Sequence, residues 1–145
     1  MKKITLTLIV LMCIVTAFYD SKASKNNEEE NVKIVKGIFA AFNAHDWQKM
    51  ASFYAENAVL EDPSYEKPVI GNKDMPAKYA AMEAYFPDIY DHVQKIYPSE
   101  NHVIVEFIST GTSKDGIKFS LPICTVLTIE NGKVVRDATY YDLQN

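Results

Sequence analysis

Residues 126–142 read VLTIENGKVVRDATYYD, and this stretch decides the fold class. Asn131-Gly132 separates two runs that are rich in valine, isoleucine, threonine and tyrosine. A type I′ turn needs positive φ at both central residues, so Asn-Gly between β-rich runs is the strongest short signal for a hairpin. The sequence therefore predicts two antiparallel strands that turn at residues 131–132.

Further strands are predicted before this hairpin. A second, weaker hairpin signal, Asp115-Gly116, lies upstream between two other β-rich runs. The four predicted strands are His92 to Tyr97, His102 to Thr110, Ile117 to Thr128 and Lys133 to Asp142. Together they predict an antiparallel meander in the second half of the chain.

The first half of the chain predicts three helices. The first extends from about Glu29 to Asn43, because its apolar residues recur three and four positions apart. Those residues are Val32, Val35, Ile38, Phe39 and Phe42. Asp46 can cap a second helix that continues to Asn57, and a third begins near Asn72 or Asp74 and stops before Pro87.

A short strand, Ala58 to Leu60, is predicted between the second and third helices. It ends in Glu61-Asp62-Pro63, since proline cannot donate to a sheet ladder. The order of elements predicts an α+β domain with its helices gathered on one face of a bent sheet.

Composition limits the classes of function. The chain has 145 residues, a net charge of −4 and 48% hydrophobic residues, which is enough for one globular domain. Its lysines are scattered and form no basic stripe, so we expect no nucleic-acid partner. The three histidines, His45, His92 and His102, form no close pair, so we expect no metal site.

Residues 1–23 have the pattern of a secretory signal, with Lys2 and Lys3 before an apolar stretch and small residues before Ser24. Residues 24–30 are polar and predict either a tether or a frayed helix start, which assigns 31–145 to the domain. We expect export to the periplasm or the cell exterior. Cys13 leaves open a lipid anchor, and an uncleaved signal would also hold the protein at a membrane.

Four stretches carry a resemblance to a known family: FAAFNAHDWQKMASFYAENAVLEDP, YFPDIYDHVQKI, NHVIVEFISTGT and VLTIENGKVVRDATYYDLQ. The chain resembles the SnoaL-like branch of the nuclear transport factor 2 superfamily from about Glu29 to Leu143. The resemblance implies three N-terminal helices on a strongly curved antiparallel sheet, with a conical cavity for a small apolar molecule. It also implies a homodimer and chemistry without a cofactor.

Asp62 is the first candidate for catalysis. In ketosteroid isomerases, an aspartate in the same Glu-Asp-Pro run moves a proton beside the substrate carbonyl. Their two oxyanion donors are replaced here by Ile38 and Cys124, and losing each donor costs about 3 kcal/mol, which argues against steroid isomerisation. The alternative role for Asp62 is structural, as a carboxylate that caps backbone amides where a strand ends.

Asp142 is the second candidate, because the last strand of SnoaL-like cyclases ends in an aspartate that acts as acid and base. Strand alternation places Asp137 and Tyr141 on one face, and Asp142 with Arg136 on the other, unless a bulge intervenes. Either face can line the cavity. Arg136 and an aspartate can also form a solvated pair on the outside.

The remaining pocket candidates follow from the same resemblance. Ile38 and Phe42 face inward on the first helix, Tyr65 and Tyr85 can close the mouth of the cone, and Cys124 is a lone, small apolar residue. The complete expected pocket is Ile38, Phe42, Tyr65, Tyr85, Cys124, Asp137 and Tyr141.

Two functional hypotheses remain open. In the first, this exported domain carries out cofactor-free proton transfer of the cyclase or isomerase type on a small carbonyl compound, with Asp62 or Asp142 as base. In the second, it is a non-catalytic module for ligand binding or dimerisation. The missing oxyanion donors favour the second, and so does export, because biosynthetic cyclases work in the cytosol.

Overall fold

The first helix, α1, covers residues 27–43 of the computed structural model, which describes residues 27–142. Its inward face is buried at Val35, Ile38, Phe39 and Phe42, which confirms the helical periodicity. Residues 27–30, expected to be a tether or a helix start, are helical. The predicted signal segment 1–23 and its Cys13 lie outside the described residues.

The second helix, α2, is Trp47–Ser52. Asp46 caps it as predicted, with its carboxylate accepting a backbone N–H at 3.0 Å. The prediction that this helix continues to Asn57 is wrong. Tyr54 instead begins a strand, and the carbonyl just before it accepts the backbone N–H of Val134 at 3.0 Å. Pairing with a distant strand thus overrides a local helical pattern.

The third helix, α3, is Met75–Tyr85 and ends before Pro87, as predicted. It packs onto the core through buried Met75 and through the partly buried side chains of Tyr79 and Met82. Across residues 27–142, none of the helices combines the length and apolar character needed to cross a lipid bilayer.

Six strands form one sheet in the order β2-β1-β6-β5-β4-β3. They are β1 (Tyr54–Glu61), β2 (Val69–Ile70), β3 (Tyr90–Ser99), β4 (His102–Thr112), β5 (Lys118–Glu130) and β6 (Lys133–Tyr140). Helices on a sheet confirm the α+β class. The expectation of a wholly antiparallel sheet is wrong for one pair, because β1 runs parallel to β6.

The predicted hairpin joins β5 to β6. Asn131 and Gly132 have φ angles of 51° and 74°, the positive values that a type I′ turn requires. β4 and β5 are also antiparallel, and their connection contains Gly116 with a φ of 81°. Both turn signals in the sequence therefore correspond to chain reversals.

Side chains along each strand point alternately to the two faces of the sheet, and the inner face packs against the helices. Val103, Val105 and Phe107 of β4 are buried on it, as is Leu127 of β5. The β1–β6, β3–β4 and β5–β6 pairs each contain a register shift, which bends the strands. Between this face and the helices lies a cavity.

Candidate functional site

The cavity has a volume of about 660 Å³, a size typical of small-molecule sites. Apolar side chains from α1 and α3 form one side, including Ile38, Phe42 and Met82. The inner face of the sheet forms the other side and contributes Phe107 and Leu127. The polar side chains on these walls are mostly carboxyl and hydroxyl groups.

Asp137 lies on the wall that β6 forms. It accepts hydrogen bonds from the Tyr54 hydroxyl at 2.8 Å, from the Thr125 hydroxyl at 2.5 Å and from the Thr139 hydroxyl at 3.3 Å. Thr125 stands opposite Thr139 in the β5–β6 register, which aligns both hydroxyls with the carboxylate. Burial raises the pKa of Asp137, and these hydrogen bonds partly oppose that shift.

Asp62 lies one residue beyond the end of β1 and also lines the cavity. The Tyr141 hydroxyl donates to its Oδ1 at 2.7 Å. The Ser64 backbone N–H donates to the same oxygen at 2.8 Å, so Asp62 also stabilises the turn. Asp62 thus caps the turn after β1, as the structural alternative predicts, while its catalytic role stays a prediction. Its charge contributes to the raised pKa of Asp137.

Asp142 lies at the mouth of the cavity and is exposed. It also borders a shallow depression formed with Pro63, Pro122 and Tyr140. β6 ends at Tyr140, so strand alternation no longer separates the next two residues, and both Tyr141 and Asp142 line the cavity. Asp142 is therefore more solvated than Asp62.

The face of β6 that the sequence left open is now defined. Asp137, Thr139 and Tyr141 line the cavity. Arg136 is half exposed on the opposite face, where it forms an ion pair with Glu61 of the neighbouring strand. The pair is solvated and contributes little to stability, but its partner is a glutamate rather than the aspartate that was expected.

A third carboxylate, Asp91, lies at the start of β3, opposite Ser109 of β4 in the register. Its backbone is held by Asn43, which donates to the Asp91 carbonyl at 2.9 Å and accepts its N–H at 2.8 Å. Only 7% of Asp91 is exposed, and its Oδ1 has no hydrogen-bond donor among residues 27–142. Burial raises the pKa of Asp91 to about 6.

Of the expected pocket residues, Ile38, Phe42, Asp137 and Tyr141 line the cavity together with Asp62 and Asp142. The expectation was wrong for the other three, Tyr65, Tyr85 and Cys124, which lie outside the cavity lining. Tyr65 packs beneath the ammonium group of Lys78, 3.3 Å from the ring centre. Tyr85 is 47% exposed at the end of α3. Cys124 pairs with Glu106 and Tyr140, on the alternate positions of β5 to those that line the cavity.

Several cavity residues were not anticipated from the sequence, namely Tyr54, Asp91, Ser109 and Thr125. Tyr54 had been assigned to a helix. A signal for Thr125 and Ser109 existed in the alternation of β5 and β4, where each occupies an inward position beside apolar inward neighbours.

Within residues 27–142, His, Cys, Asp and Glu side chains form no group of three or more that is arranged to hold a metal ion. The cavity wall offers carboxylates, hydroxyls and aromatic side chains, and Lys118 adds an ammonium group. Carboxylates of this kind can accept a proton or bind a hydrogen-bond donor.

Comparison with known families identifies the family of this domain. The family model described as the SnoaL-like domain matches residues 35–137, from the middle of α1 to Asp137. The chain belongs to the SnoaL-like domain family. No curated protein matches it in sequence.

Solved structures share the fold of this SnoaL-like protein. A protein from Jannaschia sp. CCS1 assigned as a SnoaL-like polyketide cyclase is 20% identical, with a TM-score of 0.72 over 80% of this chain and 88% of that one. One from Xanthomonas campestris assigned as a polyketide cyclase is 21% identical, with a TM-score of 0.70 over 81% and 94%. An epoxide hydrolase from M. tuberculosis is 14% identical, with a TM-score of 0.70 over 79% and 84%.

Proposed function

We propose that this SnoaL-like domain binds a small, largely apolar carbonyl compound in its cavity and moves a proton on it without a cofactor. One observation carries the proposal. Asp62 and Asp137 lie on the wall of the same cavity in different surroundings, because a turn holds Asp62 and hydroxyl groups surround Asp137. Paired carboxylates in unlike environments are a common arrangement for acid–base work.

Asp62 is the proposed base. It removes the proton from a carbon next to the substrate carbonyl, and the electron pair of that C–H bond moves into the enolate. In an isomerisation the same carboxyl group then returns the proton at a second carbon. In a ring closure the enolate carbon instead attacks a second carbonyl carbon of the substrate, the electron pair of that C=O bond moves to its oxygen, and the resulting alkoxide takes the proton from the carboxyl group. Tyr141 and Ser64 fix the carboxylate for this step through hydrogen bonds of 2.7 and 2.8 Å.

Asp137 is the proposed partner of the developing enolate oxygen, and Tyr54 supports it through a hydrogen bond. Burial raises the pKa of Asp137, which favours its neutral form, and a neutral carboxyl group is a hydrogen-bond donor. Tyr54 is itself buried and its hydroxyl is directed at Asp137 at 2.8 Å. Donors fixed in a dry site stabilise an enolate more strongly than water does. Asp142, the other expected base, is exposed, and we assign it to the cavity mouth.

Deuterium exchange tests this proposal without a known product. The protein would be incubated in D₂O with a panel of enolisable ketones, and deuterium at the α-carbon followed by NMR. We expect exchange above the buffer rate for at least one ketone and a loss of at least about 100-fold in Asp62→Asn. Asp74→Asn is the matched control, because Asp74 is exposed and lies outside the cavity lining.

The proposal fails if no ketone exchanges above the buffer rate, or if Asp62→Asn exchanges as fast as the wild type. Melting temperatures decide between a catalytic and a structural Asp62. We expect Asp62→Asn to melt within a few degrees of Asp74→Asn, whereas a much larger drop would assign Asp62 to the turn alone.

A second candidate function is non-catalytic ligand binding. The buried side chain of Ile38 favours it, because an apolar group lies on the helical wall of the cavity where the resemblance implied a donor. In that case apolar ketones would bind and protect the protein against thermal unfolding, while the exchange rate would stay at the buffer value.

Export and homodimerisation are also proposed. The pattern of residues 1–23 supports export, and the large apolar side chains exposed on the sheet, such as Tyr97 and Tyr140, support a partner copy. Fractionation of cells that express the full chain and light scattering of the purified domain test these two points. A cytosolic chain would contradict the first, and a monomer at high concentration the second.

A further inference from the structure

Asp91 lies on a different wall of the cavity from the proposed catalytic pair. Asp62 and Asp137 belong to the β1 and β6 side of the sheet, whereas Asp91 starts β3 at the other edge. In the register of β3, β4 and β5, Asp91 stands beside Ser109, which stands beside Leu121. Two polar walls therefore face one apolar space, and the proposed proton transfer uses only one of them.

The carboxylate of Asp91 is incompletely satisfied. Ser109 donates a hydrogen bond to it, but its Oδ1 has no donor among the described residues. A buried carboxylate without enough donors is costly, and native structures retain such groups where a ligand or ion completes them. Asn43 clamps the Asp91 backbone from both sides, so the side chain is held in position.

Three carboxyl groups face one region of the cavity. Asp137, Asp91 and Asp62 all act on the Tyr79 hydroxyl and raise its pKa, after the larger effect of burial, so the three groups lie around a common space. Among the lining residues that the structure describes, Lys118 is the one cationic side chain, and it is exposed. The aromatic faces of Phe42 and Phe107 line the same space and also attract a cation.

We propose that Asp91 and Ser109 bind the protonated amino group of the ligand, so that the molecule in the cavity is a cationic amine with an apolar body. The ammonium group donates to Asp91, and its charge is compensated where water is excluded. This inference rests on the proposed function only in that both use the same cavity. It extends the substrate class from a carbonyl compound to one that carries an amino group.

A matched pair of probes tests the charge. 2-Phenylethylamine and 2-phenylethanol share an apolar body and a hydrogen-bond donor, and differ in that the amine is positively charged at pH 7.5. Titrations of the wild-type chain, followed by NMR, give the two dissociation constants. We expect the amine to bind at least about 10-fold more tightly than the alcohol, which corresponds to about 1.4 kcal/mol. Equal affinities would overturn the proposal.

The Asp91→Asn variant tests the location. It keeps the size of the side chain and removes its charge, so we expect the preference for the amine to vanish while the alcohol binds as before. Asp74→Asn removes an exposed carboxylate outside the lining and should keep the full preference. A preference that survives in Asp91→Asn would overturn the assignment.

A measurement on the wild type keeps the proposal testable if Asp91→Asn fails to fold. The methylene protons next to the nitrogen of bound 2-phenylethylamine should give nuclear Overhauser contacts to Ser109. Contacts to Thr139, beside Asp137, would overturn the assignment. Neither experiment requires turnover, so a preference for the amine without ketone exchange would leave this inference standing while the proposed catalysis fails.

Discussion

Tyr54 and Asp137 connect the first strand of the sheet to the last, because the tyrosine hydroxyl donates to the carboxylate at 2.8 Å across 83 residues of sequence. The contact depends on the parallel pairing of β1 with β6. Tyr54 is the first residue of β1, just after α2, and Asp137 is the carboxylate of β6 that lines the cavity. The proposed site is therefore completed only when the two ends of the domain have come together.

Replacement of Tyr54 by phenylalanine tests this contact. We expect Tyr54→Phe to lose about 1–3 kcal/mol of unfolding free energy at pH 7, since it removes the hydrogen bond of a buried tyrosine to a partly buried carboxylate. The Tyr54 hydrogen bond lowers the otherwise raised pKa of Asp137, so it stabilises the ionised form. The loss should therefore grow as the pH rises through that pKa, and denaturant unfolding at pH 4 and pH 8 measures it.

Tyr97→Phe is the control for this variant. The Tyr97 hydroxyl lies 3.4 Å from Glu106 on an exposed part of the sheet, so its removal should change stability by less than about 0.5 kcal/mol. Equal losses in the two variants, or a loss in Tyr54→Phe that is independent of pH, would contradict a role for the contact with Asp137.

We predict that replacement of Asp91 by asparagine increases the stability of the protein. The folded pKa of Asp91, about 6, lies above the usual 3.8, so the folded protein binds the proton more tightly and loses stability as the pH rises between these values. Asp91→Asn removes that loss. We expect the variant to exceed the wild type by at most about 3 kcal/mol at pH 8 and to match it at pH 3, by thermal unfolding without ligand.

The opposite result is equally informative. An Asp91→Asn variant that is less stable than the wild type at pH 8 would mean that the carboxylate is satisfied in the free protein. Improved stability together with weaker amine binding would instead be the usual trade between stability and function at a binding site.

Glu83 joins α3 to α2 through two contacts. The Trp47 indole N–H donates to it at 2.7 Å, and His45 Nδ1 lies 3.0 Å from its other oxygen. The hydrogen bond from Trp47, followed by His45, lowers the pKa of Glu83 below 4.5. The stabilisation is thus present above 4.5 and is lost as the pH falls through the lowered value.

Glu83→Gln should accordingly melt below the wild type at pH 7, and the difference should disappear in strong acid. Trp47 is the one tryptophan of the chain, so its fluorescence reports on this contact directly. We expect a red-shifted emission in the variant at pH 7. Glu130→Gln, an exposed change at the end of β5, should alter neither property. A pH-independent difference would show that charge is not involved.

Local signals in the sequence were sufficient for much of the fold. The turn at Asn131-Gly132 depends only on the backbone angles of these two residues, and the buried face of α1 follows from helical spacing. The end of α2 was missed because it depends on β6, and no local pattern reports a partner some 80 residues away. The parallel pairing of β1 was missed for the same reason.

The candidate site was partly accessible to sequence reasoning. The inward face of β6 could be narrowed to two sets, and the structure selects the one with Asp137 and Tyr141. Cys124 was expected in the pocket from the resemblance, but its two neighbours Ile123 and Thr125 line the cavity instead, because one residue reverses the side of a strand. Asp91 gave no signal, since its importance comes from burial and a missing donor.

The final prediction concerns the adjacent tyrosines at the end of β6. Tyr141 donates to Asp62 at 2.7 Å, whereas Tyr140 is 55% exposed. If Asp62 is the base, Tyr141→Phe removes one of the hydrogen bonds that fix the carboxylate and leaves Ser64 alone to orient it. We expect kcat for ketone exchange to fall about 10-fold with KM little changed, because a 1 Å misplacement of a reacting group is costly.

Tyr140→Phe should retain the wild-type kcat, since it removes an exposed hydroxyl only one residue away. Both variants should melt within a few degrees of the wild type. Loss of kcat in both, or an increase in KM alone in Tyr141→Phe, would mean that Tyr141 serves substrate binding or the mouth of the cavity rather than the orientation of Asp62. A selective loss of kcat in Tyr141→Phe assigns it as the positioning residue, because a purely structural role would lower stability and affect both kinetic constants.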